Sequence, residues 1–296
     1  MVRTILIFGA IVFCFGVWLA VSDWQLKRNV SLRTPVWHLA KNSPEEKRSN
    51  NKLRQVVEKS LEGTTGTYAV IVKNFKSLEE VRLNEDRIFL SGSLYKLWVV
   101  AVVYQMAFDG KIDLSESLNE SVPALNAYFG LAGDDAELTF GVINYPISEA
   151  LKQMITISHN YAALSLVKRI GAETIKDFLI SNKFSGSVIK SPAQTTARDI
   201  AGLLEKLHAN EYFGSKEMTS LLLGQKLNEG LPKYLPKEAK IAHKTGEVYQ
   251  FKHGAGVVFG PKGDYLIVVL SESDSPFGAE ERIALLSRDV YNYFNQ

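Results

Sequence analysis

Hydrophobic and polar positions follow three textures along the chain. "TILIFGAIVFCFGVWLAVS", residues 4–22, is apolar and carries no charge. β-Branched runs follow in two places. "GTYAVIVKNF" (66–75) predicts a strand, and "VRLNEDRIFL" a second, weaker one. After Lys240, "KIAHKTGEV", "GAGVVFG" and "DYLIVVLS" predict three more, the last two joined by a "PKGD" turn. Helical periodicity fills the interval between. "LYKLWVVAVVYQMAF" (94–108) is apolar on every side, the mark of a buried helix. "PISEALKQMITI", "YAALSLVKRIG", "AETIKDFLIS", "ARDIAGLLEKLH" and "EMTSLLLGQKL" continue in the same register. Two further helices lie at the ends. One begins at "SPEEKRSNNKLRQVVEKSLEG", with Ser43 as cap, Pro44 in the first turn, Glu46 completing a capping box and Gly63 closing it. The other is "ERIALLSRDVYNYF", where Ile283, Leu286, Val290 and Phe294 share one face.

Strands at both ends and helices between them predict an α+β fold. The terminal strands join in one antiparallel sheet flanked by the terminal helices, and the central helices make an all-helical lobe. A cleft between sheet and lobe is the expected place for a site. The expected division is a membrane anchor or signal segment over 1–22, a linker over 23–42 and a catalytic domain over 43–296.

The uncharged run of 19 residues reaches the length of a membrane-spanning helix, about 17–25 residues. It is long for the apolar core of a signal peptide, which favours an uncleaved anchor over cleavage after "AVS" at Ala20 to Ser22. Trp24 and Trp37 suit a membrane interface. Lys27 and Arg28 after the run outweigh Arg3 before it, which argues mildly against an exported C-terminal part. Both readings place the domain at or beyond a membrane. Cys14 follows Phe13 rather than a small residue, so a lipoprotein cleavage site is not expected.

Composition adds exclusions. With 46% hydrophobic and 22% charged residues the chain is of ordinary globular type. A net charge of +2 without a basic block gives no support for nucleic-acid binding. A single cysteine allows no intramolecular disulfide, and the five histidines show no HExxH-type spacing, so no metal and no cofactor are expected.

Three short motifs carry chemistry. Ser93 and Lys96 stand in Ser-x-x-Lys spacing at the start of the buried helix. Residues three apart share a helix face, the helix N-terminus favours an anion, and burial lowers a lysine pKa toward that of a general base. Ser-x-x-Lys also occurs at Ser49, Ser165 and Ser187, but only the Ser93 copy opens a wholly apolar helix. Ser158 and Asn160 lie between two helices, where a hydroxyl can relay a proton and an amide can hold a carbonyl, or where both simply cap. Lys244, Thr245 and Gly246 occur together once, in a strand. There a lysine can face a substrate carboxylate, a threonine can donate to it, and glycine lets a substrate backbone approach. The N–H of Glu247 can join that of Ser93 as an oxyanion hole.

In this chain order, each on the expected element, the three motifs resemble those of the penicillin-recognising serine enzymes, most closely the class A β-lactamases. The resemblance covers about residues 50–296. It implies that Ser93 is acylated, that Lys96 is its base, that Ser158 passes a proton to the leaving nitrogen, that Asn160 holds the side-chain amide, and that Lys244 and Thr245 bind the carboxylate. The implied substrate is a β-lactam or a D-alanyl peptide. Neither a G-x-S-x-G sequence nor a convincing His/Asp pair is present to suggest another serine hydrolase plan.

Two departures stand out. His159 occupies the middle of the Ser-x-Asn motif, where the family usually has an aspartate that braces the loop, and is given no catalytic role. The family's loop glutamate, which activates the deacylating water, has no counterpart in "SNKFSGSVIKSPAQTT" (181–196), which holds no acidic residue. Glu173, Asp177, Asp199 and Glu205 fall in the flanking helices, and Gln194 can orient a water but not take its proton. The expectation is a β-lactamase-like hydrolase with slow deacylation. The alternatives are a D-alanyl-D-alanine peptidase acting on peptidoglycan and a membrane-tethered β-lactam sensor.

Overall fold

The computed structural model describes residues 51–190 and 192–296. The expected membrane segment and linker, and the predicted start of the first helix at Ser43, lie outside the described residues. Among the described residues no helix is long and apolar enough to cross a membrane.

Five strands form one antiparallel sheet in the order β2-β1-β9-β8-β7: β1 (Thr67–Asn74), β2 (Glu80–Leu83), β7 (Lys240–Val248), β8 (Phe251–Phe259) and β9 (Tyr265–Glu272). Side chains alternate between its faces. Tyr68, Val70 and Val72 of β1, with Tyr265, Ile267 and Val269 of β9, pack against α1 (Asn51–Leu61) and α9 (Pro276–Asn295). Ala69 and Ile71, with Leu266, Val268 and Leu270, face the helical lobe. Because both faces are covered, β8 and β9 are buried along almost their whole length, and β9 reads as an apolar run from Tyr265 to Leu270.

The lobe holds α2 (Lys96–Phe108), α3 (Val122–Phe129), α4 (Ile147–Thr156), α5 (Asn160–Ile170), α6 (Ala172–Ser181), α7 (Ala197–His208) and α8 (Ser215–Leu223). It is not all helical as expected. β4 (Ser117–Ser121) pairs antiparallel with β5 (Val142–Pro146) inside it, bracketing α3. A second two-stranded piece, β3 (Phe89–Leu90) with β6 (Gln194–Thr195), lies where the lobe meets the sheet. In β4 and β5 only Leu118 and Ile143 are buried, so the alternation is short and mostly polar and leaves little signal in the sequence.

α2 is the lobe's central helix. Leu97 through Val103 are all buried, as its all-round apolar sequence requires. A 3-10 turn over Gly92–Tyr95 runs straight into it.

Candidate active site

The 3-10 turn carries Ser93, half-buried, against the edge strand β7. Glycine at position 92 is forced twice. Its φ is +48°, and an added Cβ would lie 2.5 Å from the Glu247 nitrogen. That approach brings the Glu247 N–H against the turn that presents Ser93. Gly246 has a different reason from the one expected. A Cβ there would meet the Ser91 carbonyl at 2.7 Å and Leu94 at 2.9 Å. Its missing side chain seats the Ser93 turn on the strand, and the space in question is filled by protein rather than open to a substrate backbone.

Strand parity explains Lys244. It shares the lobe-facing side of β7 with Ala242 and Val248, and it is fully buried. Lys96, on the first turn of α2, is fully buried as well. Both reach one hydroxyl. Lys96 Nζ lies 3.0 Å from Ser158 Oγ, and Lys244 Nζ lies 3.0 Å from the same atom. Lys96 also donates to the Ser158 carbonyl at 2.6 Å and to Asn160 Oδ1 at 2.7 Å, while Lys244 donates to the Thr245 carbonyl at 2.9 Å. Two buried ammonium groups about one hydroxyl repel strongly in so poor a dielectric. Burial, then the Lys244 charge, pushes Lys96 well below the ordinary lysine range, with Glu137 opposing. Burial brings Lys244 down to about 7. Burial and the Lys244 charge both move Lys96 toward its neutral form, and a neutral amine can accept a proton.

Ser158 is held with φ at +58°, a left-handed backbone rare for serine. Such a backbone costs on the order of 1–3 kcal/mol and persists only where the surrounding structure fixes it. The neighbouring His159 caps α5, its Nδ1 accepting from the Ala162 N–H at 3.1 Å. The bond braces the start of α5. The cap needs Nδ1 unprotonated, and burial lowers the histidine pKa in keeping with that.

Thr245 is half-buried and opens, with Glu247, into a cavity of about 250 Å³ that the 226–230 segment and α9 also line. The Glu247 carboxylate pairs with the almost buried Lys252 at 2.5 Å. The structure thus gathers Ser93, Lys96, Ser158, Asn160, Lys244, Thr245, Gly246 and Glu247 at one place. Two participants form no motif in the sequence. Gly92 has its partner 155 residues away along the chain, and Glu137, on the loop before β5, accepts from Asn160 Nδ2 at 2.8 Å. A run of acids in a loop reads as solvated surface, so nothing in the residue pattern singles Glu137 out.

Three of the acids flanking 181–196, Asp199, Glu173 and Glu205, are otherwise engaged. The Asp199 carboxylate accepts from Ser187 Oγ at 2.8 Å, and that hydroxyl also meets Thr195 Oγ1 at 2.8 Å. Glu173 is exposed and paired with Lys176, and Glu205 is paired with Lys73. Gln194 is held in the β3–β6 pairing opposite Leu90. Among the described residues no cluster of His, Cys, Asp or Glu is arranged to hold a metal ion.

An antiparallel sheet backed by two terminal helices, with a Ser-x-x-Lys turn meeting a Lys-Thr-Gly strand, is the plan of the penicillin-recognising serine hydrolases. The chain belongs to the beta-lactamase enzyme family, whose model matches residues 50–294. The extended-spectrum beta-lactamase PER-1 of Pseudomonas aeruginosa is 23% identical over 272 residues, covering 80% of this chain and 84% of its own length. Among solved structures, a beta-lactamase from Chitinophaga pinensis superposes with a TM-score of 0.72 at 18% identity, covering 83% of this chain and 100% of its own. A mutant PBP-A in an acyl-enzyme complex with penicillin G superposes with a TM-score of 0.70 at 23% identity, covering 82% and 96% respectively.

Proposed function

We propose that this domain is a serine acyl-transfer hydrolase of class A type that β-lactams acylate on Ser93 and that deacylates slowly. The observation that carries the reading is the Ser158 hydroxyl suspended between two fully buried lysines. Neutral Lys96 takes the Ser93 proton, and Ser93 Oγ attacks the lactam carbonyl. The N–H groups of Ser93 and Glu247 receive the developing oxyanion. The C–N bond breaks as Ser158 gives its proton to the leaving nitrogen, and the lysine pair replaces that proton. Thr245 offers its hydroxyl to the substrate carboxylate, with the Lys244 charge buried behind it. Asn160 holds the side-chain amide. Deacylation lacks the usual carboxylate, because 181–196 contains none and Asp199 is committed to Ser187.

The mutant PBP-A captured with penicillin G supports a β-lactam as acyl donor for this fold. We place the catalytic domain outside the cell membrane, tethered through residues 4–22, because both candidate substrates are found there. The test uses the full chain and a chromogenic cephalosporin. A burst near one equivalent of enzyme followed by a slow linear phase supports the reading. Release of D-alanine from a D-alanyl-D-alanine peptide with many turnovers, against a single β-lactam turnover, makes the protein a peptidase instead. Absence of any Ser93 adduct overturns both.

A further inference from the structure

Glu137 sits on an exposed loop between α3 and β5, yet it is built into the catalytic centre. Two consecutive residues of the loop fasten to two consecutive residues of α5. Glu137 Oε2 accepts from Asn160 Nδ2 at 2.8 Å. Next to it, the Leu138 N–H donates to the Tyr161 hydroxyl at 3.1 Å, and the Leu138 carbonyl lies 2.8 Å from that same hydroxyl. Tyr161 is fully buried, and its hydroxyl reaches Asn126 Oδ1 at 2.7 Å, while Asn126 Nδ2 donates back to the Leu138 carbonyl at 2.8 Å. The loop is therefore anchored at the residue after Glu137, and the carboxylate is presented rather than left to wander.

The consequence falls on Asn160. Its amide has two ends, and each has one fixed partner: Oδ1 accepts from Lys96 Nζ at 2.7 Å, and Nδ2 donates to Glu137. Turning the amide over would set an NH2 group against the lysine donors and an oxygen against a carboxylate, losing both bonds. The acceptor on the Glu137 side thus joins the Lys96 donor in forbidding the flip.

We propose that Glu137 is a positioning residue of this site: its carboxylate locks the Asn160 amide with Oδ1 on Lys96, and it brings a negative charge to a centre otherwise built of two lysines. The inference rests on the role proposed above for Lys96. The second hydrogen of Asn160 Nδ2 stays available for a substrate carbonyl, in an orientation the carboxylate fixes. The groups that act on Lys96 are few. Lys244 from β7 opposes its proton and Glu137 favours it. The Tyr95 ring lies 5.9 Å from its Nζ, and His159, which its charge disfavours in the protonated form, adjoins Ser158. Ser158 and Asn160 are neutral.

The experiment is a pair of titrations on the full chain carrying lysine labelled with 13C at Cε, with the Lys96 resonance assigned by Lys96→Met. In Glu137→Gln, an isosteric change that can still accept from Asn160, the Lys96 resonance is expected to titrate at lower pH than in the unmodified protein. The ascending limb of Ser93 acylation against pH should move the same way, because acylation needs neutral Lys96. Glu137→Ala should move both and also lower the plateau rate about tenfold for β-lactams with an amide side chain, the effect of one lost hydrogen bond of about 1.4 kcal/mol. Glutamine should restore most of that plateau. An unmoved Lys96 titration in Glu137→Gln overturns the proposal, as does an equal plateau loss in both variants. Failure of the functional reading looks different: no adduct forms on Ser93 in the unmodified protein, while the Lys96 titration is still readable.

Discussion

Two loops border the candidate site, and they treat their acids in opposite ways. The stretch 181–196 follows α6 and closes onto the Ser93 turn, with the Ala193 carbonyl accepting from the Ser91 N–H at 2.8 Å. It has no acid of its own, and the carboxylate it does engage, Asp199, is turned inward to tie Ser187 and Thr195 together. The stretch 130–141 lies on the Asn160 side. It is exposed, and yet its Glu137 is bonded to the centre. Position near a site is thus not what makes an acid functional. The bonds already made by its oxygens decide, because a carboxylate spent on its own loop is no longer a free base.

Much of the frame is legible in the residue pattern alone. The five sheet strands follow from β-branched and apolar runs and most helices from period-3.6 patterns, and the Ser93, Ser158 and Lys244 motifs fall on the elements expected of them. What escapes has identifiable causes. β4 and β5 bury one residue each, too little to reveal an alternation. The helix predicted from Glu217 starts at Ser215, after Gly214 with φ at +74°. The role of Gly246 is set by a contact with Ser91, 155 positions earlier. Glu137 meets Asn160 across 23 positions with no periodicity linking them. Local patterns encode elements, whereas these are meetings between elements.

The largest effect concerns the atom that both loops serve. Ser93→Ala should abolish covalent labelling by any β-lactam, read by peptide mass spectrometry, with the thermal unfolding midpoint preserved. An adduct on Ser158 in its place would dissolve the comparison, since neither loop would then border the reacting atom.

Next comes turnover. General base catalysis typically contributes about a hundred- to ten-thousandfold, and steady-state hydrolysis should fall short of a good β-lactamase by that order. Gln194→Glu puts a carboxylate into the acid-free loop. If the attacking water lies on that side, the linear phase rises by up to about a hundredfold while the burst amplitude stays near one equivalent. A fast linear phase and no burst in the unmodified protein would mean that some existing acid already reaches the water.

The substrate's carboxylate is assigned to the buried Lys244 of β7 rather than to Lys183 or Lys190 of the 181–196 loop, both of which are exposed. Lys244→Ala should slow acylation by carboxylate-bearing β-lactams roughly ten- to hundredfold, the effect of a charged hydrogen bond of about 1.5–3 kcal/mol. An analogue with the carboxylate esterified should lose much less, and equal losses would make Lys244 structural. The same selectivity should depend on pH. Burial brings Lys244 down to about 7 in the resting site, so the preference for the free carboxylate is present below that value and fades as pH rises through it. A bound carboxylate favours the charged lysine and moves the transition upward.

The smallest effect tests the inward-turned acid. Burial raises the Asp199 carboxyl above its ordinary 3.8, against the lowering influence of its bonds to Ser187 and the Gly186 backbone. A carboxyl with a raised folded pKa stabilises the fold fully only below its unfolded value, and that contribution is lost as pH climbs through the folded one. Asp199→Asn removes the titration while leaving an amide oxygen that can still accept from Ser187. Its unfolding midpoint, measured against the unmodified protein, therefore carries a constant offset from altered hydrogen bonds plus a part that depends on pH. That second part should move in the variant's favour as pH rises from about 4, the ordinary carboxyl value, toward neutrality. A difference that stays flat across this range would mean that Asp199 titrates as it does in the unfolded chain. The clamp on 181–196 would then hold its carboxylate charged at no cost, and the contrast with Glu137 would rest on geometry alone.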